Sequence, residues 1–173
     1  MYIRRYIETV IEEMNAHFMV LYLSGPRQVG KTTVLQHIAK RQNRAYVSLD
    51  DLYLRELAQN DPVLFLERYP APVFIDEVQY APALFSYIKL KVDAVQTNGQ
   101  YWLSGSQHLA LMKGLQESLA GRVGILSLLG LSQAEEQKKK QKVEPFLPIM
   151  ASLKDEMTQA ISPADVFSRI FRG

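Results

Sequence analysis

A glycine-rich segment at residues 25–32, with the sequence GPRQVGKT, restricts the fold of this chain more than any other feature. It directly follows an apolar run at residues 18–23, which is typical of a central strand buried on both faces. After it, Val34, Leu35 and Ile38 recur at helical spacing and predict a helix that continues to about residue 41. A strand, a glycine-rich loop and a helix in this order indicate an α/β domain.

The segment matches the pattern G-x-x-x-x-G-K-S/T along its whole length. Its two glycines allow backbone angles that direct several N–H groups onto one anion, and the N-terminus of the following helix favours negative charge. In this pattern the lysine reaches the β- and γ-phosphates of a nucleoside triphosphate, and the final hydroxyl contacts Mg²⁺. The predicted nucleotide-binding residues are Gly25, Pro26, Arg27, Gln28, Val29, Gly30, Lys31, Thr32 and Thr33.

The rest of the chain alternates short apolar runs with helical patterns. Further strands are predicted at residues 45–49, 73–75, 101–103 and 123–129, and helices at 2–15, 82–96, 109–120 and from 162 to 171. With the run at 18–23 they give an α/β fold of three layers around a five-stranded, mostly parallel sheet. We predict an N-terminal amphipathic helix at residues 1–16, a nucleotide-binding core at 17–131 and a short helical tail, acting as a connector, at 132–173.

Acidic residues follow two of the predicted strands. Asp76 and Glu77 come directly after the third strand, and ligands of parallel sheets collect at the carboxyl ends of strands. We therefore expect Asp76 to share a crevice with Lys31 and to support Mg²⁺, while Glu77 polarises a water molecule for attack on the γ-phosphate. The alternative is a strand end capped by two solvated acids. Asp50 and Asp51, after the second strand, are expected to lie away from the nucleotide and to cap a helix.

The composition excludes several classes of protein. The chain has 173 residues and no cysteine, so disulfides and cysteine-ligated metals are excluded, and a cytoplasmic location is the natural expectation. A formal net charge of +2 is too small to argue for nucleic-acid binding. No uncharged apolar run approaches the length of a membrane span, and glutamates follow the first arginines too closely for a signal peptide. We expect no membrane partner.

With these motifs, the chain resembles the AAA-type (AAA+) P-loop ATPases, and more narrowly the prokaryotic ATPases whose AAA domain precedes a C-terminal domain of unknown function. The likeness covers almost all of residues 1–135 in order. It is carried by YIRR at 2–5, GPRQVGKTT at 25–33, IDEVQ at 75–79, LSGSQ at 103–107, LAGR at 119–122 and the stretch 128–135, which ends in LSQAE.

The resemblance implies that the nucleotide is ATP, that Mg²⁺ is required and that the chain is the N-terminal part of a longer protein. It implies a polar sensor at the tip of the fourth strand, for which Ser104 and Ser106 are candidates and Ser106 is the better match. It also implies that Arg122 is an arginine finger acting in a neighbouring subunit, and hence that the full-length protein forms a homo-oligomer. Arg27 is a competing phosphate or neighbour contact.

Three functions fit these residues. The leading one is a Mg²⁺-dependent ATPase. The alternative is a nucleotide-gated switch with little turnover, acting on nucleic acid or on a protein partner. A small-molecule kinase is disfavoured, because no segment between the third and fifth strands resembles an arginine-bearing lid.

Overall fold

Five strands form one parallel sheet in the computed structural model, which describes residues 2–105, 109–136 and 162–172. The strands are β1 (Val20–Ser24), β2 (Ala45–Ser48), β3 (Val73–Asp76), β4 (Tyr101–Gly105) and β5 (Val123–Ser127). Their spatial order is β2-β3-β4-β1-β5, so the two strands that lie beside β1 are the last two in the chain. The predicted α/β class and parallel sheet are confirmed.

Helices connect the strands in the expected alternation. They are α1 (Ile7–His17), α2 (Lys31–Arg41), α3 (Leu52–Asn60), α4 (Pro62–Arg68), α5 (Leu84–Val95), α6 (Leu109–Leu119), α7 (Gln133–Glu136) and α8 (Pro163–Arg172), and a 3₁₀ turn at Val78–Tyr80 follows β3. Within the described ranges, no helix has the length and apolar character needed to cross a bilayer.

The chain divides into two compact units, Met1–Lys139 and Lys140–Gly173, and α8 belongs to the second. The predicted domain limits at residues 16 and 131 stay predictions. The first compact unit nevertheless extends past residue 131, because the Glu135 side chain forms an ion pair with Arg5 near the start of the chain.

The sheet separates two apolar clusters, because successive side chains on a strand point to opposite faces. On β1, Val20 and Tyr22 pack with buried residues of α3, α4, α5 and α6, whereas Leu21 and Leu23 pack with α1 and α2. All five residues of β1 are buried, as expected for a central strand covered on both faces. The result is the predicted three-layer arrangement.

The first helix begins later than the sequence pattern predicts, at Ile7 instead of residue 2. The Glu8 carboxylate accepts hydrogen bonds from the Arg5 backbone N–H (2.9 Å) and from the Tyr2 hydroxyl (2.8 Å). The bond to the Arg5 N–H supplies an acceptor for a backbone donor at the start of the helix, and residues 2–5 lie outside the helix. Similarly, β5 ends at Ser127, before residue 129, because the carbonyl groups of Leu129 and Gly130 turn towards the Arg5 side chain.

Side chains cap several helices where the sequence indicates. Asp51 accepts a hydrogen bond from the Leu54 N–H at 3.0 Å, and Asp61 accepts one from the Leu64 N–H at 2.9 Å, with Pro62 in the first turn. At α7, the Glu135 carboxylate accepts the Ser132 N–H (2.8 Å), while the Ser132 hydroxyl accepts the Glu135 N–H (3.3 Å). This reciprocal pair is a capping box.

Candidate nucleotide-binding site

The glycine-rich loop leaves the carboxyl end of β1 and enters α2. Gly25 has a φ of 153°, and a Cβ atom there would lie 2.2 Å from the Leu128 carbonyl oxygen, so no larger residue fits between the loop and the segment after β5. Gly30 precedes α2 with a φ of 92°, and Gln28 has a φ of 64°. These left-handed conformations turn the chain tightly, as in loops whose backbone N–H groups bind an anion.

Lys31 is buried at the base of this loop. It is 7% exposed, and its ammonium group donates hydrogen bonds to the carbonyl oxygens of Gly25 (3.0 Å) and Pro26 (2.8 Å). The side chain therefore folds across the loop that it belongs to. A phosphate entering the loop would exchange these two carbonyl contacts for stronger contacts with charged oxygens.

Asp76, at the carboxyl end of β3, is the point where three hydroxyl groups converge. Its carboxylate accepts hydrogen bonds from Thr32 (2.8 Å), from Tyr46 (3.3 Å) and from Ser104 on the neighbouring strand β4. Burial, together with the charge of Asp76, raises the pKa of Tyr46, so its phenol remains a neutral donor. The carboxylate is 3% exposed but well supplied with donors.

Glu77 follows Asp76 in an unusual backbone conformation. Its φ is 56°, a left-handed value that is costly for a residue with a side chain and is often found at functional sites. The Gln79 side-chain amide donates a hydrogen bond to its carboxylate. Burial, with a smaller effect of the Glu77 charge, raises the pKa of Tyr22 to about 12, so this neighbour stays uncharged.

These elements surround a cavity of about 530 Å³, within the range of small-molecule sites. The loop and α2 contribute Arg27, Gln28, Gly30, Lys31, Thr32 and Thr33, and the segments that follow β2 and β3 contribute Asp50, Glu77 and Tyr80. The expectation that Asp50 lies away from this site is wrong. Because β2 is parallel to β3, both strands end at the same edge of the sheet and bring Asp50 to the cavity.

The donor set fits a nucleotide with Mg²⁺. The glycine-rich loop and its lysine suit phosphate oxygens, and the Thr32 hydroxyl beside the Asp76 carboxylate offers the hard oxygen ligands that Mg²⁺ prefers. Among the described residues, no group of three or more His, Cys, Asp or Glu side chains could hold a metal alone.

Arg122 is predicted for the site but is not among the residues that line this cavity. Arg122 immediately precedes β5, so it lies at the amino ends of the strands, opposite the edge that carries Lys31. Its guanidinium pairs with Asp93 (Nη2 to Oδ2, 3.0 Å), an interaction that raises the pKa of Arg122 and lowers that of Asp93. Ser106 lies outside the described residues, and Ser104 is the strand-four hydroxyl seen in contact with the site.

Arg5 is a residue that the sequence analysis quoted only as part of a family likeness. It is 7% exposed, and its Nη1 atom donates to the Val29 carbonyl inside the loop at 2.9 Å. Its Nε atom donates to Glu135 at 3.1 Å. The available signal was an N-terminal arginine together with the glutamate of the sequence SQAE at 132–135, which has the pattern of a capping box, although spacing along the chain gives no reason to join them.

The fold and the cavity define a P-loop NTPase domain, with the loop after β1 and the carboxylates after β3. A protein-family model described as "AAA domain" matches residues 17–136, which is more than half of the chain. The chain therefore belongs to the AAA domain family. This confirms the resemblance to AAA-type P-loop ATPases, whereas the expected C-terminal domain of unknown function stays a prediction.

The chain is also similar to two mycobacterial proteins and to several solved structures. It is 34% identical over 114 residues to Mb2031c of Mycobacterium bovis and to Rv2008c of Mycobacterium tuberculosis, a match that covers 65% of this chain and 25% of each relative. The chain thus spans about a quarter of the length of these relatives.

Among solved structures, Saccharomyces cerevisiae RIF2 matches with a TM-score of 0.47 and 10% identity, covering 76% of this chain and 57% of that one. Shikimate kinase from Acinetobacter baumannii matches with a TM-score of 0.36 and 17% identity, covering 75% and 66%. Both scores are below 0.5, so these matches add nothing to the fold that the sheet itself shows.

Proposed function

We propose that this domain binds ATP with Mg²⁺ and hydrolyses it, in the cytoplasm. The observation that carries the proposal is the 2.8 Å hydrogen bond between the Thr32 hydroxyl of the loop and the Asp76 carboxylate at the end of β3. It joins a phosphate-binding loop to an acidic strand end at one cavity, which Glu77 also lines. That combination supports transfer of a γ-phosphoryl group to water.

Each residue has a distinct role in this proposal. Lys31 and the loop N–H groups bind the phosphates, while Thr32 and Asp76 hold the metal. Bound Mg²⁺ would neutralise charge on the phosphate oxygens. Glu77, which also lines the cavity, accepts a proton from the attacking water. Ser104 donates to Asp76 and keeps its carboxylate oriented, and Ser106 remains the alternative candidate for a sensor.

The first test is a calorimetric titration of ATP with Mg²⁺ into the wild-type chain and into Lys31→Ala. We expect saturable binding in the wild type and a loss of at least about tenfold in the variant, because a charge-assisted contact to phosphate is removed. Lys40→Ala is a matched control, since Lys40 is an exposed lysine of the same helix. Equal affinity in all three proteins would contradict the proposed site. Parallel titrations with GTP test whether the site binds an adenine or a guanine nucleotide more tightly.

A nucleotide-gated switch with little turnover is the second candidate. It is favoured by two contacts, since the Lys31 ammonium is held on the loop's own carbonyls and the Glu77 carboxylate is held by Gln79. Both groups must leave these partners before they can act. A single turnover followed by no steady hydrolysis supports the switch, whereas linear phosphate release over many turnovers supports the ATPase.

The proposed assembly is a homo-oligomer of the full-length protein, in which Arg122 reaches the nucleotide of a neighbouring subunit. Arg122 lies at the amino ends of the strands, whereas its own cavity lies at their carboxyl ends. This supports the proposal, because Arg122 is too remote to serve its own site. Its bond to Asp93 would have to open first. The partner on which such an assembly acts, whether nucleic acid or protein, stays open.

A further inference from the structure

Arg5 forms a buried junction between three segments that are distant in sequence. Its Nη1 atom donates to the Val29 carbonyl in the loop (2.9 Å), and its Nη2 atom donates to the carbonyls of Leu129 (2.8 Å) and Gly130 (3.0 Å) after β5. Its Nε atom donates to Glu135 of α7 at 3.1 Å. All three nitrogens of the guanidinium group are therefore used, and the planar group fixes the direction of every bond.

The bond to Val29 determines the orientation of one peptide group in the loop. The C=O of Val29 and the N–H of Gly30 belong to the same trans peptide unit, in which they point in opposite directions. Because the carbonyl faces Arg5, the Gly30 N–H is directed away from Arg5. Gly30 lines the cavity, and a Cβ atom on it would lie 3.8 Å from Arg5 Nη1, so the guanidinium packs against the back of this residue.

The buried charge of Arg5 is balanced by Glu135. This carboxylate is itself 7% exposed and accepts hydrogen bonds from the backbone N–H groups of Ser132 and Tyr6, both at 2.8 Å. Burial opposes its ionisation, but these bonds and the bond from Arg5 outweigh burial and keep the pKa of Glu135 below its ordinary value. The pair is therefore an ionised, fully hydrogen-bonded unit, the kind of buried ion pair that is rigid.

We propose that Arg5, held by Glu135, is a positioning residue for nucleotide binding: it fixes the Val29–Gly30 peptide so that the Gly30 N–H is presented to a phosphate oxygen. This inference rests on the proposed function of the cavity. A loop whose N–H groups are already directed inward loses less entropy when the phosphate binds. Without Arg5, the same peptide can turn its carbonyl oxygen towards the phosphate and repel it.

The test compares Arg5→Met and Arg5→Lys with Arg4→Met in the full chain. Arg4 is an exposed arginine next to Arg5, so it controls for the loss of one positive charge near the N-terminus. For each protein we would measure the dissociation constant of ATP with Mg²⁺ by calorimetry, the thermal unfolding midpoint, and the chemical shift and hydrogen exchange of the Gly30 amide by NMR.

We expect Arg4→Met to bind as the wild type does and Arg5→Met to bind about ten- to a hundredfold more weakly. Arg5→Lys keeps the charge but offers a single nitrogen, so it should fold better than Arg5→Met and still bind weakly. The Gly30 amide should shift and exchange faster in both Arg5 variants without nucleotide, an effect that a merely stabilising arginine would not produce in a folded protein.

Other outcomes overturn the inference. Wild-type affinity in Arg5→Lys would mean that charge alone matters, and an unchanged Gly30 amide in that folded variant would mean that Arg5 does not orient the peptide. An equal loss in Arg4→Met would point to a general electrostatic effect. Failure of the wild type itself to bind nucleotide refutes the proposed function instead, and the Gly30 amide still reports on the peptide orientation.

Discussion

Asp76 combines deep burial with an unusually full set of hydroxyl donors. Thr32 comes from the loop, Tyr46 from the edge strand β2, and Ser104 from β4 in the centre of the sheet. A carboxylate held from three sides can present its oxygens to a cation in one fixed direction. Its contacts also show that the site depends on residues from four elements of the fold.

We expect Ser104→Ala to destabilise the protein by about 1–3 kcal/mol, because it leaves a buried acceptor of Asp76 without its donor. The same change should raise the Mg²⁺ concentration needed for half-maximal turnover, since the carboxylate becomes less well oriented. Denaturant unfolding and a Mg²⁺ titration of phosphate release measure the two effects. Ser86→Ala, at an exposed position of α5, is the control and should change neither quantity. Unchanged stability in Ser104→Ala would show that this hydrogen bond is not significant.

Glu77→Gln should retain the affinity for ATP and reduce turnover by about 10²–10⁴-fold, because an amide cannot accept the proton of the attacking water. Asp50→Asn is the informative comparison, since Asp50 is the other carboxylate that approaches the cavity from β2. Single-turnover kinetics on both variants, with ATP affinity measured separately, would identify the general base. A larger loss in Asp50→Asn than in Glu77→Gln would assign the role to Asp50.

At the scale of elements, the order of strands and helices could be predicted because apolar periodicity and glycine positions are local properties. The caps at Asp51 and Asp61 could be predicted for the same reason, since a cap and the N–H it accepts are three residues apart. The start of α1 is marked by a local bond between Glu8 and the Arg5 N–H, which apolar spacing alone does not reveal. The end of β5 is fixed by Arg5, which donates to backbone carbonyls 124 and 125 residues further along the chain.

Local sequence patterns do not predict which strands are neighbours in the sheet. Placing β4 between β1 and β3 brings Ser104 beside Asp76 and leaves β2 at the edge, where Tyr46 reaches the same carboxylate. The sequence therefore indicated Lys31, Thr32, Asp76 and Glu77, each of which lies within or next to a recognisable motif. It gave no indication of the hydrogen bond from Tyr46 to Asp76 or of Asp50 at the cavity, because both depend on the neighbours of β2.

Replacing Asp61, the N-cap residue of α4, should lower the free energy of unfolding by a predictable amount. Asp61→Ala removes the acceptor for the Leu64 N–H and should lower the free energy of unfolding by about 1 kcal/mol. Glu56→Ala, at an exposed position within α3, is a suitable comparison and should change stability by no more than about 0.5 kcal/mol. Urea unfolding of both variants measures the two changes in the free energy of unfolding. Equal losses in Asp61→Ala and Glu56→Ala would mean that the cap does not stabilise the protein.

At the scale of the whole molecule, the Arg5–Glu135 pair makes stability depend on pH. The pKa of Glu135 is lowered on folding, so its contribution to stability is fully present above the unfolded-state pKa and is lost as the pH falls through the folded-state pKa. Glu135→Gln should therefore be less stable than the wild type at pH 7, and the difference should shrink as the pH falls below about 4.

Chemical denaturation at a series of pH values measures this difference. Glu56→Gln serves as the reference, since it makes the same replacement at an exposed position of α3. A difference between the wild type and Glu135→Gln that does not vary with pH would show that folding does not lower the pKa of this carboxyl group.

The proposed action of Arg122 in a neighbouring subunit can be tested by mixing inactive variants. Arg122→Ala lacks the finger and Glu77→Gln lacks the base, so each alone should hydrolyse ATP slowly. In a mixed oligomer of the full-length protein, some interfaces combine an intact cavity with an intact arginine. We expect phosphate release to rise on mixing, to about a quarter of wild-type activity or less. Strictly additive rates would argue against action between subunits.

The contact between Arg5 and Glu135 has a practical consequence for anyone who isolates this domain by similarity alone. The matched family region covers residues 17–136, so a chain trimmed to those limits keeps the whole loop and both carboxylates after β3. The trimmed chain would nevertheless lack Arg5, and Glu135 would lose the guanidinium group with which it forms an ion pair. Failure of such a trimmed protein to bind nucleotide would then reflect where the gene was cut, and the minimal working domain should begin no later than residue 2.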